Sequence, residues 1–200
     1  LGDERIREIR IIADDMGSLA ADNGLIRGYG TEIGAFVRLD DLQQGYVFAQ
    51  VDRAIIMSPH KTNARAVMPV TTMDEVLHGY PVDYILYANN YEDVDEEHPI
   101  IEQFASPEEA LAVFRRGTAM SKGTTTSSGL VHTYFANIFG PAQYPKLHDE
   151  IAEGIFQDAF DQGIFVGQIR TRLALPGYEQ QGPEAAATAL LGLVTKEKPS

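Results

Sequence analysis

The sequence predicts an α/β (α+β) fold in which a mixed β-sheet is flanked by helices. Two observations support this prediction. Short β-rich apolar runs, separated by Gly, Pro and Asn, dominate the first half of the chain, whereas helical patterns alternate with a strand-like run in the second half. Such an order favours helices packed on a mixed sheet. The length of 200 residues suits a single domain, residues 1–200.

The first half is predicted to contain strands and one long loop. An apolar run over residues 7–13 predicts a buried strand that ends in two adjacent carboxylates, Asp14 and Asp15. Residues 16–34 are rich in Gly, Asn and Asp and predict a loop. Further short strands are predicted at 35–39, at 46–51 as its hairpin partner, at 54–57 and at 66–70.

The second half begins with a strand and a capped helix. Residues 82–88 are continuously apolar and rich in β-formers, which predicts a central strand. Ser106 is a predicted N-cap, because Pro107 follows it at the first helical position and Glu109 completes a capping box. This helix is predicted to end near Gly117.

The last third is predicted to fold as helix, strand and helix. Residues 144–162 form the longest helical pattern, since apolar side chains recur at every fourth position and two phenylalanines widen the stripe: Leu147, Ile151, Ile155 and Ala159, with Phe156 and Phe160. A strand is predicted at 164–169, and a final helix begins at Pro183 and ends at about Val194.

Composition narrows the class of function. Lys and Arg total 16 against 29 Asp and Glu, a formal net charge of −13, which argues against binding to nucleic acid or to anionic membranes. The sequence has no Cys and therefore no thiolate metal site.

We see neither a signal-peptide pattern nor an apolar run of membrane-spanning length, and we expect a cytoplasmic location. Because the chain starts at Leu1 inside a charged, periodic segment, we expect a piece of a longer protein.

Two stretches carry candidate chemistry. Asp14 and Asp15, after an apolar run and before Gly17, provide the oxygen ligands that hard divalent cations prefer. The alternative is that both are turn formers. Residues 122–128 combine Lys, Gly and hydroxyl side chains, so Lys122 and Thr124 are candidates for binding phosphate oxygens from a loop over the cleft. The alternative for that loop is a polar connector.

Six stretches also follow one another in a recognisable order: Ile12-Ala13-Asp14-Asp15 with Asp22-Asn23-Gly24, then residues 32–42, 62–70, 84–88, 117–124 and 134–142. Together they resemble the C-terminal, nucleotide-binding half of ATP-type phosphoenolpyruvate carboxykinases. The corresponding family segments are an Asp-Asp strand with an Asp-Asn/Thr-Gly turn, Glu-Gly-Gly-Cys-Tyr-Ala-Lys, Asn-Thr-Arg-x-x-Tyr-Pro-Ile, Ile-Ile-Phe-Leu-Thr, Gly-x-Thr-x-Lys-x-x-Gly-Thr and Phe-Ser-Ala-Cys-Phe-Gly. The resemblance spans residues 8–195.

The resemblance implies a fold, a reaction and a set of site residues. The fold would be the C-terminal domain of a phosphoenolpyruvate carboxykinase, and the reaction would couple phosphoryl transfer from ATP or another nucleotide to decarboxylation of oxaloacetate. Asp15 would bind the catalytic Mn²⁺ or Mg²⁺, with Asp14 near the Mg²⁺ of the nucleotide. Arg65 would contact the transferred phosphoryl group and the substrate, a role that suits a planar, bidentate cation. Without the family, Arg65 would be taken for a surface arginine.

The chain also departs from the family. The phosphate loop G-x-x-x-x-G-K-[ST] does not occur in this sequence, and Lys122 stands where its second Gly is required. Met16, Ile33 and Arg38 replace an acidic residue, a Gly and a Lys of the family. We therefore expect the partner of this chain to be an N-terminal half that carries the phosphate loop, and the chain alone to be inactive. The alternatives are a non-catalytic nucleotide-binding or regulatory module, or a small-molecule or protein kinase of the same fold.

Overall fold

The computed structural model describes residues 4–14, 16–38, 55–57, 65–121, 129–136 and 144–196. Its architecture is mixed α/β, with several small sheets and four α-helices within those ranges, as the sequence predicts at this coarse level. The chain divides into two compact units, Leu1–Val82 and Asp83–Ser200, which are described separately below. The single domain expected from the length stays a prediction.

The first unit contains a β-hairpin where the sequence predicts a loop. Strand β1 (Gly17–Asp22) pairs antiparallel with β2 (Leu25–Gly30), and the sheet is completed by the short strand β6 (Tyr80–Pro81) on the other side of β2. The loop predicted over 16–34 is therefore wrong. These two strands lack the alternation of apolar and polar residues that predicts a strand, because several of their side chains are small. Of their side chains, Ile26 alone belongs to the buried apolar core.

The hairpin turn itself follows from local sequence. Asn23 and Gly24 both have positive φ, 50° and 77°, and they lie between the paired residues Asp22 and Leu25. Two consecutive left-handed residues form the turn whose twist matches a hairpin, and Asn-Gly is the pair that adopts it most readily. The Asn-Gly pair is thus a hairpin turn, whereas the sequence analysis predicts only a loop at this position.

The strand predicted over residues 7–13 is wrong. Residues 6–13 have no regular secondary structure, and the side chains of Ile9 and Ile11 are exposed. A run of apolar residues forms a central strand only where strands on both sides bury it. Here the run is not buried in that way, and its backbone is irregular. Asp14 therefore follows an irregular segment that side chains must hold in place.

A second sheet of the first unit contains three of the predicted strands. Strands β3 (Gly34–Arg38), β4 (Ile55–Met57) and β5 (Arg65–Pro69) form an antiparallel sheet with β5 in the centre. This confirms the strands predicted at 35–39, 54–57 and 66–70 to within a residue. The proposed hairpin partner at 46–51 lies outside the described residues, and β3 pairs with β5. The unpredicted helix α1 (Met73–His78) follows, with Thr72 as its N-cap.

The second unit is built on a three-stranded sheet. Strand β11 (Phe165–Arg170) lies in its centre, parallel to β7 (Tyr84–Asn89) and antiparallel to β8 (Ile101–Gln103). The strand predicted at 164–169 is confirmed, whereas the central position predicted for 82–88 is wrong. Strand β7 lies at one edge because the chain returns after two helices and inserts β11 between β7 and β8.

Three helices belong to this unit: α2 (Pro107–Arg116), α3 (Pro145–Asp161) and α4 (Gln181–Lys196), near their predicted bounds. Ser106 caps α2 by accepting from the backbone N–H of Glu109, and Gly117 ends it in the left-handed conformation. The apolar stripe predicted for α3 is partly wrong, because Leu147 and Ile151 are exposed. The buried side is formed by Ala152, Phe156 and Ala159, since their spacing of four and three follows the helical period of 3.6.

An antiparallel ribbon follows α2. Strands β9 (Thr118–Ser121) and β10 (Gly129–His132) pair from Thr118↔His132 to Ser121↔Gly129. A 3-10 turn over Tyr134–Ala136 comes next, in which Phe135 and Ala136 both have a φ of 53°. Positive φ costs free energy for residues with a side chain, so surrounding contacts must maintain this turn.

Candidate functional site

The predicted site residues are distributed over both units. Asp14 is exposed at a bend of the first unit, and Asp15 lies outside the described residues. Arg65 begins β5, where its backbone pairs with Arg38 on one side and Met57 on the other, but its side chain lies outside the description. Lys122 and Thr124 also lie outside it, between β9 and β10 of the second unit. A common site for these residues therefore stays a prediction.

Side chains hold the irregular segment before Asp14. The guanidinium of Arg10 donates from Nη1 to both carboxylate oxygens of Glu75, at 3.0 and 3.2 Å, and to the Tyr80 hydroxyl at 3.2 Å. It also donates to Glu8 at 2.7 Å. The hydroxyl of Tyr80 donates in turn to Glu75, and this bond, together with Arg10, holds the pKa of the Glu75 carboxyl below its usual range. Arg10 therefore links the irregular segment 6–13 to α1 and β6 through these hydrogen bonds.

Both ends of the stretch 12–16 also contact the end of β2. The backbone of Ile12 passes so close to Gly30 that a β-carbon built there would lie 2.5 Å from the Ile12 carbonyl oxygen. On the far side of Asp14 and Asp15, the hydroxyl of Thr31 donates to the carbonyl oxygen of Met16 at 2.8 Å. Gly30 therefore leaves room for the backbone of Ile12, and the next residue, Thr31, is hydrogen-bonded to Met16.

A shallow apolar cleft of about 280 Å³ lies beside this stretch. Its walls come from the irregular segment and from all three strands of the hairpin sheet: Ile12, Ala13, Gly17, Ser18, Leu19, Gly28, Tyr29, Tyr80, Pro81 and Val82. Polar groups in this lining are confined to Ser18, Tyr29, Tyr80 and backbone atoms. The cleft suits an apolar group rather than a charged one.

The acidic pair fits a hard divalent cation by donor chemistry. Mg²⁺ in phosphoryl-transfer sites is commonly held by one or two carboxylates together with water and substrate phosphates, and Asp14 and Asp15 offer such oxygens. Within the ranges that the structure describes, no group of three His, Cys, Asp or Glu side chains is arranged to bind a metal. The phosphates of a nucleotide or residues elsewhere would have to complete the coordination shell.

In the second unit, the ribbon that leads into residues 122–128 is fixed to the end of β7. Asn90 forms two hydrogen bonds with Met120, accepting from its N–H at 2.9 Å and donating to its C=O at 3.2 Å. Thr118 and His132 are joined side chain to side chain at 2.8 Å. Because Ser121 and Gly129 are cross-strand partners, the chain enters and leaves 122–128 at adjacent points. The two strand ends that flank the candidate phosphate loop are therefore adjacent.

Sequence reasoning missed a buried polar cluster at the carboxyl ends of β7 and β11. Arg170 is only 2% exposed and donates to Glu92 at 3.1 Å and to the carbonyl oxygen of Pro99 at 2.8 Å, and it also pairs with Glu102 at 2.8 Å. Its neighbour Asn89, fully buried, accepts from the backbone N–H groups of Tyr91 and Glu92. The sequence feature that could have indicated this cluster is an Asn and an Arg at the ends of two apolar runs, Asn89 and Arg170. The cluster fixes the acidic loop after β7 and thus has a structural role.

A second unpredicted network joins the turn after β10 to the helices. Tyr134 donates to Asp149 at 2.9 Å and lies 3.0 Å from the His148 ring nitrogen. Arg115 donates to Asp149 at 2.8 Å and to Glu153 at 2.7 Å. Burial, followed by the bond to Asp149, raises the pKa of Tyr134 to about 12. This network holds the strained residues Phe135 and Ala136 in position.

Comparisons with known proteins found no relative: no protein-family model matches the sequence, and no curated protein or solved structure matches it either. Within the part of the chain that the structure describes, no helix is both long enough and apolar enough to cross a membrane.

Proposed function

We propose that this chain is the C-terminal, nucleotide- and metal-binding part of a phosphoenolpyruvate carboxykinase-like enzyme with that family's C-terminal fold. The observation that carries the proposal is the order of the six resembling stretches, which begin with the acidic pair Asp14-Asp15. The enzyme would use a nucleoside triphosphate and oxaloacetate to form phosphoenolpyruvate, CO₂ and the nucleoside diphosphate. Its location would be the cytoplasm.

Each proposed residue has a role that its chemistry supports. Asp14 and Asp15 would hold Mn²⁺ or Mg²⁺, and the bound ion would neutralise charge on the phosphates. Arg65 positions the transferred phosphoryl group through its planar guanidinium. Lys122 and Thr124 donate to phosphate oxygens. These donors fit a reaction in which catalysis consists mainly of positioning and charge neutralisation.

Two features of the structure support this assignment. On either side of the acidic pair, Ile12 lies close to Gly30 and Met16 accepts a hydrogen bond from Thr31, and such contacts of the neighbouring backbone favour a metal site. Ser121 and Gly129, which come directly before and after residues 122–128, are cross-strand partners, which is compatible with a phosphate-binding loop between them. In the full protein, a partner half would supply the phosphate loop that this sequence lacks.

Replacing Asp15 by Asn in the full-length protein tests the proposal. The readout is metal-dependent decarboxylation of oxaloacetate with ATP, GTP or pyrophosphate as phosphoryl donor. We expect kcat to fall by roughly three orders of magnitude, since charge stabilisation by the metal is worth several kcal/mol. Asp74→Asn, the same change at an exposed position of α1, is the matched control and should leave kcat unchanged. Normal turnover in Asp15→Asn would overturn the assignment.

A second function is favoured by the missing G-x-x-x-x-G-K-[ST] motif: a nucleotide-binding or regulatory module without catalysis. It predicts that the full-length protein binds ATP in the presence of Mg²⁺ and turns over neither oxaloacetate nor phosphoenolpyruvate. Transfer of phosphate to another small acid or to a protein, in the same assay, would instead identify a kinase of this fold.

A further inference from the structure

We propose that the groove between α2 and α3, together with an exposed apolar stripe of α3, is a docking surface for a basic amphipathic helix of a partner protein. Both parts of this surface belong to the second unit. None of the residues assigned above to metal, nucleotide or phosphoryl binding lies in it. The inference therefore does not depend on the proposed enzymatic function.

The groove has the size and lining of a binding cleft. Its volume is about 490 Å³, within the range of clefts that hold ligands. Leu111 and Ala112 of α2 and Gly154 of α3 line its apolar part, and Glu108 and Glu153 are among its polar residues. Amphipathic helices commonly bind in grooves of this kind, with their apolar side inward.

The groove is open because α3 has no side chain at Gly154. Among the residues that the structure describes, no atom outside the neighbouring helix backbone lies within 4 Å of a β-carbon built there. Packing therefore does not require this glycine, unlike Gly117, where a β-carbon would meet the Thr133 carbonyl oxygen at 1.7 Å. Glycine inside a helix also lowers stability relative to alanine. The open space instead suits a side chain that comes from outside.

The apolar stripe of α3 leads into the groove. Leu147 and Ile151 are 55% and 53% exposed and lie one helical turn apart, and Gly154 follows Ile151 by three positions. The exposed side chain of Tyr144 precedes them, just before the first turn of α3. Residues 144–154 span about 16 Å, so the stripe can accommodate about three turns of a partner helix. A contiguous row of exposed apolar side chains is typical of an interaction surface.

Charge indicates which partner fits. The side chains of Glu150 and Asp158, within one turn of the stripe, are exposed, as is that of Glu153 in the groove. Arg115 donates to Asp149 and to Glu153, so its charge is already compensated within the fold. A second copy of this chain would bring the same carboxylates to the interface and repel the first. A helix with lysine or arginine beside its apolar side is complementary.

The test is fluorescence anisotropy with the full-length protein and a synthetic probe. The probe is a labelled helical peptide of about 14 residues, with leucine at positions i, i+3, i+7 and i+10 and lysine on the opposite side. A second peptide carries glutamate in place of lysine. We expect the lysine peptide to bind and the glutamate peptide not to bind. Gly154→Leu, which fills the groove without a change of charge, and Ile151→Ser should each weaken binding about 10-fold or more.

Two matched controls lie elsewhere in the second unit. Gly192→Leu makes the same change at a glycine of α4 whose built β-carbon also meets nothing within 4 Å. Leu130→Ser removes a leucine of β10 that is 50% exposed. Both controls should bind the lysine peptide within about 2-fold of the wild type, because surface substitutions outside the interface have small effects. Circular dichroism checks folding, and if Gly154→Leu does not fold, Ile151→Ser against Leu130→Ser gives the result.

Weaker binding in Gly154→Leu and Ile151→Ser, with both controls normal, is the result that supports the inference. Equal binding in the wild type and in these folded variants would refute it, because the peptide would then be held by the general acidity of the protein. Equal binding of the glutamate peptide, or no binding of the lysine peptide, would also refute it. Light scattering provides a last check: a dimer that Ile151→Ser dissociates would show that a second copy covers the stripe, contrary to the proposal.

Discussion

The guanidinium of Arg115 donates from Nε to Oδ1 of Asp149 at 2.8 Å and thereby joins α2 to α3. The same carboxylate oxygen accepts from the hydroxyl of Tyr134 at 2.9 Å. These two donors, the arginine first, hold the pKa of the Asp149 carboxyl below its usual range. Asp149 therefore connects both helices with the turn that carries Phe135 and Ala136.

This lowered pKa predicts an acid-dependent loss of stability. A carboxyl whose folded-state pKa lies below its unfolded value, about 3.9, stabilises the fold above that pH and loses its contribution as the pH falls through the folded-state value. Asp149→Asn should therefore lower the Tm at pH 7, and the difference from the wild type should vanish as the pH falls below about 4. Thermal melts followed by circular dichroism between neutral and acidic pH measure this.

The control for that experiment is Asp158→Asn, the same change at an exposed position of α3. It should shift the Tm little at any pH, because surface substitutions seldom matter. A Tm difference between Asp149→Asn and the wild type that stays constant down to the most acidic melt would contradict the electrostatic role of Asp149.

Removal of the buried guanidinium in the second unit should destabilise the fold. Arg170→Met leaves Glu92, Glu102 and the carbonyl oxygen of Pro99 without their shared donor. The two carboxylates are partly exposed and regain water, so we expect a loss of about 2–3 kcal/mol rather than the larger cost of a fully buried pair. Urea denaturation gives the free energy of unfolding. Exposed Arg116→Met is the control, and an equal effect in both variants would contradict the prediction.

Glycine-to-alanine changes at two positions should have opposite effects. At Gly117, φ is 50° and a β-carbon would lie 1.7 Å from the Thr133 carbonyl oxygen, so Gly117→Ala should cost more than about 2 kcal/mol. At Gly154, inside α3, no atom lies within 4 Å of the built β-carbon. Gly154→Ala should therefore stabilise the protein by about 0.5–1 kcal/mol. Calorimetric melts measure the change in stability of both variants. A stabilised Gly117→Ala variant would contradict the prediction, because it would show that the Thr133 carbonyl moves away from the added β-carbon at no cost.

Local sequence was sufficient wherever a short-range signal decides the backbone. The N-cap at Ser106 and the left-handed Gly117 bound α2 as predicted, because these interactions involve residues within a few positions of one another. The turn at Asn23-Gly24 is predictable for the same reason. The strands of the second sheet and β11 were likewise visible as short apolar runs.

The candidate site was only partly accessible from the sequence. The pattern drew attention to Asp14 and Asp15, but the supports of that stretch come from residues distant in the chain, such as Glu75, Gly30 and Thr31. Nothing in the local sequence around Asp14 indicates them. The cluster around Arg170 was missed for the same reason, since Glu92, Pro99 and Glu102 reach it only through the pairing of β11 with its neighbours.

By itself, then, the sequence determined the mixed α/β class, the approximate bounds of α2, α3 and α4, the strands of the second sheet and β11. Tertiary structure decided that residues 6–13 form no strand, that β7 lies at a sheet edge and that Leu147 and Ile151 of α3 stay exposed. The physical reason is the same in each case. Caps and turns depend on neighbouring residues, whereas strand order, burial and the support of an irregular segment depend on contacts between distant parts of the chain.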